Sequence, residues 1–306
     1  MANKHCYYYV ISELCQLRNI ALEQMDIFHL LGGHTFAVKK ERDEPFPLLN
    51  IKGSVIDDEL FRICTGLSIE KKLLINYEEA IKVIMTRIGE NDLQTVCTNC
   101  FFLPYDSVNY KKNIGSHFIM LRSYDSANDQ FTLSDHKYDH ALLSGEDLKL
   151  AMDNVKEYKN CLLDLHIETE YSCKQMKDSV REVIKTNAAK ILSTLQHQFN
   201  VLKMEIENIN SLDSFYRSFS YFELLKSIKN PNGPIISKHY LVRSLPGNKP
   251  DLQNIISECI QLWERLCVDI YKNYTHDSPI LLDGQLDNLY QREMDMNKQI
   301  IEVVRR

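Results

Sequence analysis

The stretch HFIMLRSYDSANDQFTLSD, residues 117–135, decides how this chain is read. His117 to Tyr124 is rich in apolar and aromatic residues. Asp125 to Asp129 holds small and polar turn-formers, and Gln130 to Asp135 is again strand-like, so the segment reads as a β-hairpin. A turn centred on Ser126 sets His117 opposite Asp135, Ile119 opposite Leu133 and Leu121 opposite Phe131, all on one side of the sheet because side chains alternate between faces. A register shift of one or two residues stays open. Either way an imidazole stands beside a carboxylate at the end of an apolar stripe. Such a carboxylate fixes the tautomer and orientation of the ring and stabilises its protonated form, as a general base requires. The plain alternative is a satisfied histidine in a sheet.

Upstream, Leu93 to Leu103 reads as a buried strand closed by Pro104. Tyr77 to Ile88 reads as a helix, with Ala80, Ile81, Ile84, Met85 and Ile88 on one face and Gly89 at its end. Lys39 to Asp58, with Pro45 and Pro47, is a loop or short hairpin. A helix near Glu23 to Leu31 stops at Gly32-Gly33, where glycine takes a left-handed cap. The first helix is expected from Cys6 to Leu17, on a stripe of Tyr7, Val10, Ile11, Leu14 and Leu17. Downstream, from about Cys173, the pattern turns helical. Met176, Val180, Ile184, Ala188, Ile191, Leu195, Phe199, Leu202 and Ile206 form one long stripe. Further helices are expected at Ser211–Lys229, Asp251–Tyr274 and Leu286–Val304, broken at Asn230–Pro234 and Pro246–Pro250. These patterns give an α+β domain over residues 1–170 and a helical domain over 171–306.

The composition agrees with that outline. At roughly 150 residues per domain, 306 residues suggest two domains. A net charge of −6 argues against a nucleic-acid binder, which carries a basic face. With 44% hydrophobic and 25% charged residues the chain is ordinary globular material. Ten Gly and eight Pro are too few turn-formers for an all-β protein. The longest run without a charge is 93–105, short of the ~20 residues of a membrane span. Met1 to Cys6 leads into an amphipathic segment with no secretory pattern. Nine cysteines, an odd number, point to free thiols and a cytoplasmic setting.

Among those thiols, Cys6 stands at the start of a helix. Unpaired N–H groups there lower a thiol pKa, and a neighbouring imidazolium lowers it further. The backbone N–H can also point at a developing oxyanion. A nucleophile at an early helix start, with a His and an Asp on later strands, is the papain-like arrangement. Against it, free cysteine is among the most buried of residues. Cys97 and Cys100 form a lone CxxC with no second pair; read on a strand they face opposite ways and are two separate thiols. Asp135-His136 with Asp139-His140 offers metal-ligand types but no further ligand at a suitable spacing, so no metal is expected. Lys71-Lys72 and Lys111-Lys112 read as solvated loops.

His5-Cys6, Leu30-Leu31-Gly32-Gly33-His34-Thr35-Phe36, Glu78-Glu79-Ala80, Leu103-Pro104-Tyr105, Gly115-Ser116-His117-Phe118 and Asp135, in that order, resemble the butirosin biosynthesis protein H family. The resemblance implies a papain-like cysteine-peptidase fold, a helix packed on an antiparallel sheet, followed here by a helical domain. It implies an acyl or peptidyl transferase of natural-product pathways, nonribosomal peptide or aminoglycoside-like. The acyl group would pass from the phosphopantetheine arm of an acyl or peptidyl carrier protein, through an acyl-cysteine, to a small amine, with no cofactor bound to the enzyme itself. Carried over, Cys6 is the nucleophile, His117 the base and Asp135 its orienter. Asn3 is the candidate second oxyanion donor. Tyr7, Gly32, Gly33, His34, Phe36 and Tyr105 are expected at the substrate. The helical part would serve as a lid, a carrier-protein surface or a dimer surface. A cysteine peptidase or thioesterase with the same triad, and a binding protein with a vestigial site, are the alternatives.

Overall fold

A computed structural model describes residues 5–42, 46–90, 92–112, 115–245, 249–276, 278–280 and 284–304. Its elements, in chain order, are α1 (Cys6–Leu17), α2 (Gln24–Leu30), β1 (His34–Arg42), β2 (Leu48–Ser54), α3 (Asp58–Thr65), β3 (Leu67–Leu73), α4 (Tyr77–Gly89) and β4 (Gln94–Asn99). There follow β5 (Ser116–Asp125), β6 (Gln130–Ser134), β7 (Ala141–Ser144), α5 (Gly145–Asp153), β8 (Cys161–Ile167), α6 (Cys173–Asn210), α7 (Ser214–Lys229), α8 (Pro234–Ser244), α9 (Pro250–His276) and α10 (Gln285–Val304). The class is α+β with a helical C-terminal region. Among the described residues no helix is long and apolar enough to cross a membrane.

The chain divides into two compact units: residues 1–27 with 66–173, and residues 28–65 with 174–306. The sequence expectation drew one boundary at 170. The division falls near it, at Cys173, but Phe28–Thr65 lies with the C-terminal helices. The reason is local. Hairpin β1–β2 packs on α7 and α8, and the N–H groups of Gly53 and Ser54 both donate to the carbonyl of Asn232, at 2.7 and 3.0 Å. A Cβ on Gly53 would stand 2.4 Å from Pro234 Cα, so only glycine permits that approach.

In the first unit an antiparallel sheet of order β3-β8-β4-β5-β6-β7 is the organising layer. One face carries Val96, Ile119, Leu121, Phe131, Leu133 and Leu162 and is covered by Ala80 and Ile84 of α4 and Leu148, Ala151 and Met152 of α5. Phe118 points to the other face, where α1 packs: the Tyr7 and Phe118 rings are 5.2 Å apart. Helix α1 begins and ends where the spacing predicts. However, Tyr7, Tyr8, Tyr9, Val10, Ile11, Ser12, Leu14 and Cys15 are all buried, so α1 is a central helix rather than one with a single apolar stripe; Leu17 is exposed.

Hairpin β5–β6 forms, but the expected register shifts, by two at Met120 and Leu121 and by three beyond them. Met120 pairs with Ser134 and Leu121 with Leu133; past an irregularity at Arg122, Tyr124 pairs with Phe131. A shift of two preserves faces, because the side-chain period is two, so the expected apolar side survives. The turn owes its place to Asp125, whose carboxylate accepts the Ala127 N–H at 2.9 Å and the Asn128 amide at 2.7 Å. Strand β4 is shorter than expected. Asn99 Oδ1 accepts the Phe101 N–H and starts one 3-10 turn over Cys100–Phe102. Lys71 and Lys72 lie on β3, not in a loop.

In the second unit α6 buries its whole expected stripe. Helices α7, α9 and α10 agree with expectation to within a few residues. Helix α8 was not expected: its short segment lies between two proline-containing breaks, one of which supplies Pro234 at its first turn. Inside this unit Lys238 Nζ of α8 is 2.6 Å from Glu293 Oε1 of α10, both fully buried, and Trp263 Nε1 donates to the same oxygen at 2.7 Å.

Candidate active site

The first turn of α1 presents Cys6. His5 precedes it as the helix cap, its Nδ1 accepting the Tyr7 N–H at 3.2 Å. An accepting Nδ1 requires a neutral ring, and burial together with the nearby His117 charge brings the His5 pKa down to about 4.

His117 opens the buried part of β5. Its backbone is pinned to β4, where Thr98 Oγ1 donates to its carbonyl at 2.8 Å. Its Nε2 is 3.0 Å from Asp135 Oδ2. With Nε2 so engaged, the hydrogen bond between the ring and the Cys6 sulfur falls to Nδ1. Burial by itself would raise the thiol pKa; the His117 charge, its hydrogen bond and the N–H groups of Phe118 and Tyr7 outweigh it and bring Cys6 below the ordinary thiol value. Burial likewise opposes a charge on His117, yet Cys6 and Asp135 together hold its pKa well above the ordinary imidazole value. The two shifts run in the direction that favours a thiolate beside an imidazolium.

The lowered pKa sets Cys6 apart from seven thiols that burial raises. Burial pushes Cys15 up to about 12 and Cys161 and Cys267 up to about 11, and it raises Cys64, Cys97, Cys100 and Cys259. All nine cysteines are free, so Cys97 and Cys100 are two separate thiols.

Asp135 lies just past β6 in a tight turn closed by its own N–H to the carbonyl of Tyr138 at 2.9 Å. Its Oδ1 accepts the N–H groups of Lys137 and Tyr138 at 2.7 and 2.9 Å; its Oδ2 accepts the Tyr105 hydroxyl at 3.1 Å beside the His117 ring. Burial would raise its pKa, but these donors and the His117 charge hold it well below the carboxylate range. A second buried carboxylate, Asp106, anchors the same turn through Lys137 Nζ at 3.2 Å and Tyr138 Oη at 3.3 Å. His136 stands edge-on to His117, ring centroids 5.1 Å apart. Burial and the His117 charge bring its pKa down to about 4.

Cys6, His117 and Asp135 are therefore brought together. Tyr105, expected at substrate, donates to Asp135 instead. Tyr7, also expected there, is buried against Phe118, with Lys71 Nζ 5.0 Å from its ring. Gly32, Gly33, His34 and Phe36 belong to the second unit. Gly32 and Gly33 end α2 at φ +106 and +56, and a Cβ on Gly32 would stand 2.6 Å from Val55 Cγ1. His34 is buried near His29, Lys238 and Asn297. Phe36 stacks on Phe199 at 5.2 Å. Their expected role was substrate contact; the structure records interior packing. Asn3 lies outside the described residues. Asp139 and His140 are exposed and make no metal cluster with Asp135.

Sequence reasoning passed over His5, Asp106, Lys137 and Tyr138, and it considered His136 only as a metal ligand. The one available signal was the run of polar and aromatic residues on either side of Pro104 and Asp135, whose pairing depends on how two distant loops fold together.

Residues 5–136 match the family model described as butirosin biosynthesis protein H, N-terminal; that span contains Cys6, His117 and Asp135. No curated protein matches the chain.

Proposed function

Since residues 5–136 belong to the butirosin biosynthesis protein H N-terminal family, we propose that this chain is an acyl or peptidyl transferase of a natural-product pathway. It would form an amide from a carrier-protein thioester through an acyl-cysteine. The observation that carries the reading is the series Cys6–His117–Asp135, in which one ring nitrogen faces the sulfur and the other the carboxylate. A nucleophile on the first turn of a central helix, with the histidine at a strand start and the aspartate after the next strand, also supports a papain-like fold.

In the first step the Cys6 thiolate attacks the thioester carbonyl. A carbon–sulfur bond forms to Cys6, the pantetheine thiolate leaves, and the His117 proton goes to it. Thiolate replaces thiolate, so little leaving-group assistance is needed. In the second step an amine attacks the acyl-cysteine while neutral His117 accepts its proton; the Cys6 thiolate is released and the pair is restored. Asp135 keeps the ring oriented and its charged form stabilised through both steps. The donor is an acyl or peptidyl carrier protein charged on its phosphopantetheine arm, and the acceptor a small amine.

Intact-protein mass spectrometry tests this with a panel of acyl-pantetheine thioesters, on wild type, Cys6→Ala and His117→Ala, with and without amines. An acyl mass on wild type, absent from Cys6→Ala and discharged to an amide by one amine, is the expected result. Discharge to free acid alone would replace transfer by hydrolysis. Turnover by Cys6→Ala at the wild-type rate would overturn both.

A further inference from the structure

Among the described residues, one group of His, Cys, Asp or Glu side chains brings three ligand atoms within 4.8 Å of one another: His117, Asp135 and His136. The thiolate-activating series uses the first two. His136 has no part in it, yet its Nδ1 is buried and makes no hydrogen bond. A buried polar atom left unpaired costs free energy, and native structures keep few of them without a purpose. Its ring is set at 69° to that of His117 and follows Asp135 directly in the chain, so the turn that holds the carboxylate also holds the backbone that carries this ring. Two imidazole nitrogens and a carboxylate oxygen suit a borderline divalent ion such as zinc or cobalt; magnesium and calcium select oxygen.

We propose that His117, Asp135 and His136 form an inhibitory site for a divalent transition ion, with zinc the reference ligand. The ion takes the place of the proton in the His117–Asp135 hydrogen bond. The Nε2–H bond breaks, the freed lone pair binds the metal, and the proton passes to water with no change of oxidation state. Asp135 and His136 supply two more ligands and water the fourth. Because Nε2 faces Asp135 and Nδ1 faces Cys6, the ion lies on the side of the ring away from sulfur and needs no thiolate. A ring held in this way no longer takes and returns a proton, so Cys6 chemistry stops. That last consequence rests on the proposed role of His117; the binding itself does not.

The test is equilibrium dialysis of the full chain against zinc, repeated with cobalt, for wild type, Cys6→Ser, His136→Asn and His136→Gln, with circular dichroism as the control for folding. Alkylation of Cys6 by iodoacetamide is followed in parallel, with and without metal. Wild type and Cys6→Ser should bind alike, and the cobalt spectrum should lack a sulfur charge-transfer band. Both His136 variants should bind at least about tenfold more weakly and still be alkylated at Cys6. Three results would each overturn the site: no zinc bound by wild type, binding lost in Cys6→Ser, or binding undiminished in both folded His136 variants. None of them bears on thioester turnover, which the mass measurement above addresses separately.

Discussion

Asp135 Oδ2 lies 3.0 Å from His117 Nε2, and this one contact decides which nitrogen Cys6 meets. With Nε2 committed to the carboxylate, Nδ1 is left to the sulfur. The ring can carry its proton only by staying charged between two anions. The Cys6 pKa is thereby lowered in a place where burial alone would raise it.

The first expectation concerns reactivity against pH. A thiol whose pKa is lowered stays ionised, and so reactive, below the ordinary thiol range, and loses reactivity as pH falls through the lowered value. Mass-mapped iodoacetamide labelling at neutral pH should therefore modify Cys6 while the buried Cys15, Cys97 and Cys161 stay unmodified. In His117→Ala the burial effect is opposed only by the N–H groups of Phe118 and Tyr7, and the labelling midpoint should move up. Equal labelling profiles for the two proteins would remove the ion pair.

Asp135→Asn puts an amide where two backbone N–H groups, a hydroxyl and an imidazolium N–H all donate. The amide NH2 must face one of those donors. The turnover rate should fall by about 10²-fold or more, the lower end of what general acid–base assistance supplies, and fall in kcat rather than only KM. Tyr105→Phe removes one donor to the same carboxylate and should cost about 1.5–3 kcal/mol of stability, read from urea midpoints.

Both Asp135 and Asp106 titrate below the ordinary carboxylate value in the folded chain. Groups with depressed folded pKa values stabilise fully above the unfolded value of about 4, and that stabilisation disappears as pH falls below it. Asp106→Asn should be measurably less stable than wild type at pH 6, with the difference shrinking by pH 3. A difference that stays constant over that interval would mean the carboxylate charge is irrelevant there.

In the second unit the ion pair of Lys238 and Glu293 is fully buried. Lys238→Met leaves the Glu293 charge without its partner and should cost about 3–5 kcal/mol. The double variant Lys238→Met with Glu293→Gln should recover part of that loss, because Trp263 still has an acceptor. Chemical denaturation of the three proteins measures the coupling directly.

Long periodic elements were legible in the residues alone: α1, α4, α6, α9, α10 and the hairpin β5–β6. Each carries enough apolar spacing to outvote local ambiguity. The edge strand β3 and its neighbour β8 were not, because β3 alternates weakly and holds two adjacent lysines. Helix α3, with two buried side chains, gives as little pattern. At the site, a helix start and a hairpin were enough to place Cys6, His117 and Asp135 near one another, although the expected cross-strand pairing of His117 with Asp135 does not form and the two meet beyond the ladder. The supports of Asp135 could not. Tyr105 and Asp106 reach it across a turn whose course depends on the packing of Leu103, and a sequence does not display which of many tyrosines will donate to a given carboxylate.

The irregularity at Arg122 has a consequence for the lengths this hairpin tolerates. That irregularity already absorbs one odd residue without turning Asp135 away from the imidazole. Inside the paired stretch 130–134, dropping or adding a residue would instead turn the side chains after it to the opposite side of the sheet. The tip at Ser126 and Ala127 is exposed and free to change its letters. Homologous chains are thus expected to vary at this tip in both composition and length, while keeping the count of residues from Gln130 to Asp135.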